Sequence, residues 1–312
     1  MNDEFAVTEL WPVLAYDEMA PTVDHLHRLS QIAGKYTLDQ PFEPFWSNVP
    51  LVVTPRGFGT RTLRAGDVLF DVEYAVLDDR VDVTASTGRV TLPLAAGSVA
   101  DFYARFVRAV APLKIAAPRT TLESEIPGSF HLDTDSQPRP YDAAAARRMW
   151  AAFAGAAGAL NAWQSSYRGP RLHPGIMWGG FDLYAARYSG RSIAPPSGRP
   201  VFQQNGMNGE TVAVGMSFGD PNFRAAYFFA YVAPSLAGIE SADFAVEGAA
   251  YDTAAGLVRL PWENVRAGGD PLGTVLRFAD AVYAVAVKLG GWPSDWVVSR
   301  HDGWYASRHL IP

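Results

Sequence analysis

Apolar and polar residues change period along the chain, and the changes divide it into helical and extended stretches. Over 23–33, Val23, Leu26, Leu29 and Ala33 recur at three- and four-residue steps. That spacing predicts an amphipathic helix, with Thr22 as N-cap after Pro21 and Gly34 as a left-handed stop. His27, Gln31 and Lys35 recur every four residues on the opposite side, so they share a polar stripe expected to face solvent. Between 49 and 93 the period falls to two. Runs at 51–54, 68–76, 81–85 and 90–92 are rich in Val, Thr, Phe and Tyr, and the short links through Asp78-Asp79 and Thr87-Gly88 predict antiparallel hairpins. A helix then starts after Ser98, whose hydroxyl caps the first turn, and Phe102, Phe106 and Val110 form its core stripe.

Residues 117–140 carry Pro, Ser, Thr and Asp without a helical period and read as a connection. An Ala-rich helix over 142–167 follows, then strands at 177–187, 212–218, 225–232 and 256–260, interrupted by a Pro- and Gly-dense loop at 192–209. The last helix spans 271–289, with Asp270 as N-cap and Gly290-Gly291 ending it. Gly88-Arg89-Val90-Thr91-Leu92-Pro93 matches Gly256-Leu257-Val258-Arg259-Leu260-Pro261 in pattern, and both precede a helix. The fold expected is therefore α+β with two similar halves from an internal duplication, each an antiparallel sheet with flanking helices. The halves are 1–116 and 141–292, joined by 117–140, with a tail at 293–312 that packs back.

Composition narrows the function. The net charge is −6 and no Lys/Arg cluster occurs, so a nucleic-acid partner is not expected. There is no cysteine, which closes thiolate, disulfide and iron–sulfur chemistry. The N-terminus lacks an apolar leader, and the longest apolar run falls well short of the ~20 residues a membrane span needs. The expected location is cytoplasmic, with no membrane contact. Six scattered histidines show no metal-ligand spacing, and phosphate or dinucleotide glycine loops are missing, so neither metal nor cofactor is expected.

Several side chains remain as candidates. His27 titrates near neutrality and suits acid–base work, with Gln31 beside it on the stripe. Phe181, Leu183, Ala185 and Arg187 alternate on one strand face, which sets a guanidinium among core side chains. An unpaired buried charge is costly, so either an internal carboxylate such as Asp182, Asp252 or Asp71 answers Arg187, or a ligand's anion does. Arg56, ending the first strand, poses the same choice. Asp182 is a second proton carrier, and Trp46, Trp178, Tyr184, Phe228 and Phe229 are core aromatics or walls of a cavity between the halves. Gly215-Met216-Ser217-Phe218-Gly219 has the Gly-x-Ser-x-Gly pattern, with His301 downstream, but among 28 glycines such a match is cheap and a strand rather than a helix follows.

Leu26-His27 with Gln31-Ile32-Ala33-Gly34-Lys35, Arg56-Gly57, Ser98-Val99-Ala100-Asp101-Phe102-Tyr103, Trp178-Gly179-Gly180-Phe181-Asp182-Leu183, Ser189-Gly190-Arg191 and Tyr251-Asp252 occur in order. Together they resemble the bacterial family catalogued as domain of unknown function 5996, a likeness running to about Trp292. Pro44-Phe45 and Gly175 stand where the family pattern suggests Asn-His and His, so the resemblance implies that a site built on those histidines is missing its ligands here. The leading expectation is a cofactor-independent enzyme, a cyclase or isomerase, acting on a largely apolar small molecule with an acid or carbonyl group. In it Arg56 or Arg187 holds the anion, His27 or Asp182 moves a proton, and Trp178 shapes the pocket. The alternatives are a non-catalytic binding or scaffold protein, compatible with a homodimer, and a serine hydrolase using Ser217.

Overall fold

The computed structural model describes residues 9–298, apart from 129, 196, 199–203 and 205. The first half is helix α1 (Tyr16–Leu38), strands β1 (Val52–Thr54), β2 (Gly57–Gly59), β3 (Leu63–Ala65), β4 (Val68–Ala75), β5 (Arg80–Ala85) and β6 (Gly88–Pro93), and helix α2 (Val99–Val110). The second is α3 (Ala143–Ser165), β7 (Arg171–Met177), β8 (Asp182–Ser192), β9 (Gly209–Ser217), β10 (Tyr227–Ala233), β11 (Ala250–Asp252), β12 (Leu257–Pro261), α4 (Trp262–Ala267) and α5 (Pro271–Gly290).

Among the described residues the strands make two six-stranded antiparallel sheets. One runs β1-β2-β4-β5-β6 with β3 paired to β4, and the other runs β11-β12-β10-β9-β8-β7. Leaving out β3 and β11, both sheets are meanders of five strands preceded by a helix of 23 residues. The matched strings of the sequence, in β6 and β12, hold the fifth place in each. The halves meet where Leu51 and Ile176 exchange backbone hydrogen bonds of 2.9 and 2.7 Å, and one apolar cluster runs through both.

Helix ends follow their caps where a short acceptor is at hand. Ser98, Asp142 and Asp270 each accept from the backbone N–H three residues on. The first helix departs from expectation: it begins at Tyr16, passes through Pro21, and does not stop at Gly34. A Cβ on Gly34 would lie 2.3 Å from Cδ2 of Trp178, so this glycine serves the close approach of an indole instead of a left-handed turn. The polar stripe is also not a solvated face, because Gln31 and Lys35 are buried under residues 122–125. The expected strand over 177–187 is two strands, broken at Trp178–Phe181, where Phe181 has φ of 56°. The tail packs back as far as Val298, whose N–H bonds to Ser166, and Trp296 lies against Tyr167. His301 and the rest of the tail lie outside the described residues. No helix among the described residues is long and apolar enough to cross a membrane.

Alternation along β8 sorts its side chains onto two faces. Leu183, Ala185 and Arg187 join Val212, Val214 and Met216 of β9 and Phe228 and Ala230 of β10 on a face fully buried against α3 and α5. Arg187 is thus interior, as its spacing predicts, but none of the expected acids answers it. Its Nη2 donates to the carbonyl of Trp163, in the last turn of α3, and to Ser166 Oγ at 3.1 Å. Its guanidinium carbon stands 4.1, 4.9 and 5.0 Å from the ring centroids of Trp163, Tyr167 and Tyr283, and its Nη1 pairs with Asp280 Oδ1 of α5 at 4.0 Å. A helix C-terminus and three aromatic faces are favourable surroundings for a cation. Arg56 binds the Asp78 carboxylate through Nε and Nη2 at a half-exposed turn.

Replacing Arg187 by Glu puts an anion into this cage, and the folding free energy should fall by several kcal/mol in urea titration. Arg56→Ala should cost less than about 1 kcal/mol. An unchanged midpoint for the Arg187 variant would refute the structural role.

Candidate functional site

The other face of the second sheet points away from α3 and α5. There β9 presents Thr211, Ala213 and Gly215, while β8 presents Asp182, Tyr184, Ala186 and Tyr188 and β10 presents Phe229 and Tyr231. Small side chains on the middle strand and large rings on its neighbours leave a hollow. A Cβ on Gly215 would lie 2.3 Å from the Phe229 ring, so the ring leans across the glycine. The hollow is a cavity of about 460 Å³, walled by Trp46, Trp178, Tyr184, Tyr188, Phe229 and Tyr231. Its polar groups include the tyrosine hydroxyls, Ser124, Glu125 and Asp182.

Asp182 opens β8 and projects into this space. Loss of water around its carboxylate, with the Glu125 carboxylate adding to the effect, pushes its pKa from 3.8 up to about 7. The carboxyl therefore exchanges its proton near neutrality. Two residues along the same face, the Tyr184 hydroxyl lies 3.1 Å from that of Tyr231. Burial holds both phenols protonated, and the charge of Asp182 adds to this.

The opposing wall is built by α1 and the segment linking the halves. Gln31 grips Ser124 twice: its Nε2 donates to the Ser124 carbonyl at 2.8 Å and its Oε1 accepts from the Ser124 N–H at 2.7 Å. Lys35 donates to Ser124 Oγ at 2.8 Å and lies 4.6 Å from the Trp178 ring centroid. Burial lowers the Lys35 pKa to about 8, against the pull of Glu123 and Glu125. One residue earlier, Glu123 is buried and accepts from Arg28 at 2.7 Å, while Arg139 bridges Asp135 at 2.8 Å and Asp24 at 3.0 Å. These contacts carry Glu125, at a φ of 62°, to the exposed mouth of the cavity. His27 stands behind the wall. A carbonyl only accepts, so His27 Nε2 carries a proton and donates it to Gly179 O at 2.7 Å. Burial lowers the pKa of His27 to about 4, and its ring stacks on Phe181 at 5.3 Å.

Of the side chains singled out in the sequence, Asp182, Tyr184 and Trp178 line the cavity, Gln31 holds its wall, and His27 holds the turn leading into Asp182. Arg56 and Arg187 do not reach it. Ser217 ends β9 and accepts from the Gly219 N–H at 3.1 Å; a turn at Asp220–Phe223 and then the antiparallel strand β10 follow instead of a helix, so no nucleophile elbow forms. Sequence reasoning passed over Ser124, Glu125, Tyr188 and Tyr231. The period-two relation of Tyr188 to Tyr184, and of Tyr231 to Phe229, was the available signal for two of them.

Residues 11–299 match the family described as Family of unknown function (DUF5996), which takes in both halves, the linking segment and every residue of the cavity. The chain belongs to this family. No curated protein and no solved structure matches it. The chemistry of this DUF5996 member has therefore to be read from its own side chains.

Two expectations follow. Gln31→Ala removes the acceptor for the Ser124 N–H, so amide exchange at Ser124 should quicken by roughly tenfold or more, with no change expected at Phe106 in α2. For Asp182, the folded protein holds a proton that the unfolded chain releases, so wild-type stability is lost as pH rises from 3.8 to about 7. Asp182→Asn should match wild type below that window and exceed it by up to about 4 kcal/mol above it, read from urea unfolding across pH. A difference that does not vary with pH would contradict the raised pKa.

Proposed function

We propose that this protein is a cofactor-independent enzyme of the isomerase or cyclase type, which moves a proton on a largely apolar small molecule held in the cavity. The observation that supports this most is a carboxyl group titrating near neutrality in an aromatic-walled space. General acid–base catalysis is most effective when the pKa of the catalyst lies close to the working pH. The paired hydroxyls of Tyr184 and Tyr231 on the same face are neutral donors suited to a carbonyl oxygen that gains charge when a neighbouring carbon loses its proton. Asp182 takes and returns the proton, and the aromatic walls hold the apolar body and exclude water. An acid group on the substrate loses its support, since neither arginine lines the cavity. The same space would serve a binding protein without catalysis, and the test separates the two.

A panel of cyclic and aryl ketones in deuterated water, followed by proton NMR, reads proton transfer at the carbon next to the carbonyl. The wild-type protein should accelerate exchange into at least one of them. Asp182→Asn should lower that rate by roughly 10²-fold or more, and Tyr231→Phe by a smaller factor. No exchange with any ketone, or full exchange by Asp182→Asn, would count against the enzymatic reading and leave binding alone.

A further inference from the structure

Ser124 is held by α1 at each of its polar groups. Its N–H and its carbonyl both engage Gln31, and its hydroxyl oxygen accepts from Lys35 Nζ at 2.8 Å. Gln31 and Lys35 stand one turn apart on α1, so a single helix face fixes the backbone of the serine and the direction of its hydroxyl. The serine lines the cavity, whereas Lys35 is buried behind it. With both backbone groups turned to Gln31, the hydroxyl is the polar group that Ser124 can offer a ligand.

Bracing a wall does not call for a lysine, whose burial is costly. Among the described residues the one hydrogen bond of Lys35 goes to Ser124 Oγ, and its other close neighbour is the Trp178 ring. Glu123 and Glu125 favour its charged form, yet loss of water outweighs them and brings its pKa to about 8. An ammonium that gives up its proton this readily leaves an amine able to take the proton of the hydroxyl it already holds. We propose that Ser124 is a nucleophile with Lys35 as its general base, and that the cavity takes an ester of an apolar acid, whose acyl group passes to Ser124 and then to water.

Neutral Lys35 takes the proton of Ser124 Oγ while Oγ bonds to the ester carbonyl carbon and the π pair moves onto the carbonyl oxygen. The neutral hydroxyls of Tyr184 and Tyr231, in the same cavity, are the donors suited to that oxyanion. The carbonyl then re-forms, the bond to the leaving alcohol breaks, and Lys35 returns its proton to the departing oxygen. Water repeats the cycle on the acyl-serine, which releases the acid and restores the hydroxyl. The proposal rests on the proposed function only for the cavity being the ligand site; it uses neither Asp182 nor proton transfer at carbon.

The charged groups around Lys35 are Glu123 and Glu125 of the linking segment, while Arg28 and His27 of α1 are turned to Glu123 and to Gly179 O. The base works as the free amine, so acylation rises with pH through the titration of Lys35. Treatment of the full chain with a benzyl-bearing fluorophosphonate, followed by peptide mass spectrometry, reads the nucleophile, and para-nitrophenyl phenylacetate reads turnover. The label should fall on Ser124, at a rate that grows roughly tenfold between about pH 7 and about pH 9. Ser124→Ala should abolish label and turnover with little change in the urea midpoint. Lys35→Arg keeps a cation and a donor, which preserves a bracing role, but guanidinium does not take up the proton, so labelling should slow by roughly 10²-fold or more. Should Lys35→Arg not fold, the wild-type pH profile carries the test. No label on Ser124, a label on Ser217 in its place, a rate independent of pH, or wild-type labelling of Lys35→Arg overturns the dyad. Ketone exchange by the wild-type protein is a separate readout, so that failure leaves the reading of Asp182 standing.

Discussion

A carboxylate moved out of water loses solvation that apolar neighbours cannot replace, and it keeps its proton to higher pH as a result. The second sheet sets that condition at Asp182. Its middle strand carries Thr211, Ala213 and Gly215 on one face, and the strands on either side carry rings, so a space opens above the small side chains. The opposite face of the same strands is packed with Leu183, Val214, Met216 and Phe228 against α3 and α5. One strand therefore does two jobs by alternation: odd positions of β8 make core, and even positions make the cavity. A one-residue slip in β8 would exchange Asp182 for Leu183 and bring Arg187 into the hollow.

The first half completes the site from outside the sheet. Trp178 lies against Gly34, Gln31 holds both backbone groups of Ser124, and the pairs of Arg28 and Arg139 with Glu123, Asp135 and Asp24 fasten the segment that brings in Glu125. Most of these partners lie far apart along the chain. Their cost in desolvation is offset only if each hydrogen bond is made, which ties the geometry of the mouth to the integrity of α1. The two similar halves thus carry an unequal division of labour, in which one half supplies Asp182 and the other half, with the linker, supplies the wall.

Local signals made much of the fold legible. Ser98, Asp142 and Asp270 mark helix starts because each acts on a backbone N–H three residues away. Period-two runs located β4, β5, β9 and β10, whereas β2 and β3, of three residues each, are too short to show a period. Signals that depend on distant partners were not legible. Gly34 reads as a stop until Trp178 is placed upon it, and the stripe of His27, Gln31 and Lys35 reads as solvated until the linker covers it. The interior position of Arg187 followed from spacing, but its cage of Trp163, Tyr167, Tyr283 and a helix carbonyl did not, since no acid adjacent in pattern signals it. Glu125 sits in a segment without period, where composition says loop and nothing more.

The state of one carboxyl decides whether the site is as described. Carbon-13 NMR of the aspartate side chains, with the Asp182 signal assigned by its loss in Asp182→Asn, follows that group directly through a pH titration. A midpoint near 7 is predicted for a desolvated acid facing Glu125 and the tyrosine pair. A midpoint near the ordinary aspartate value of 3.8 would mean that water reaches Asp182 freely, and that the cavity lacks the property on which its chemistry depends.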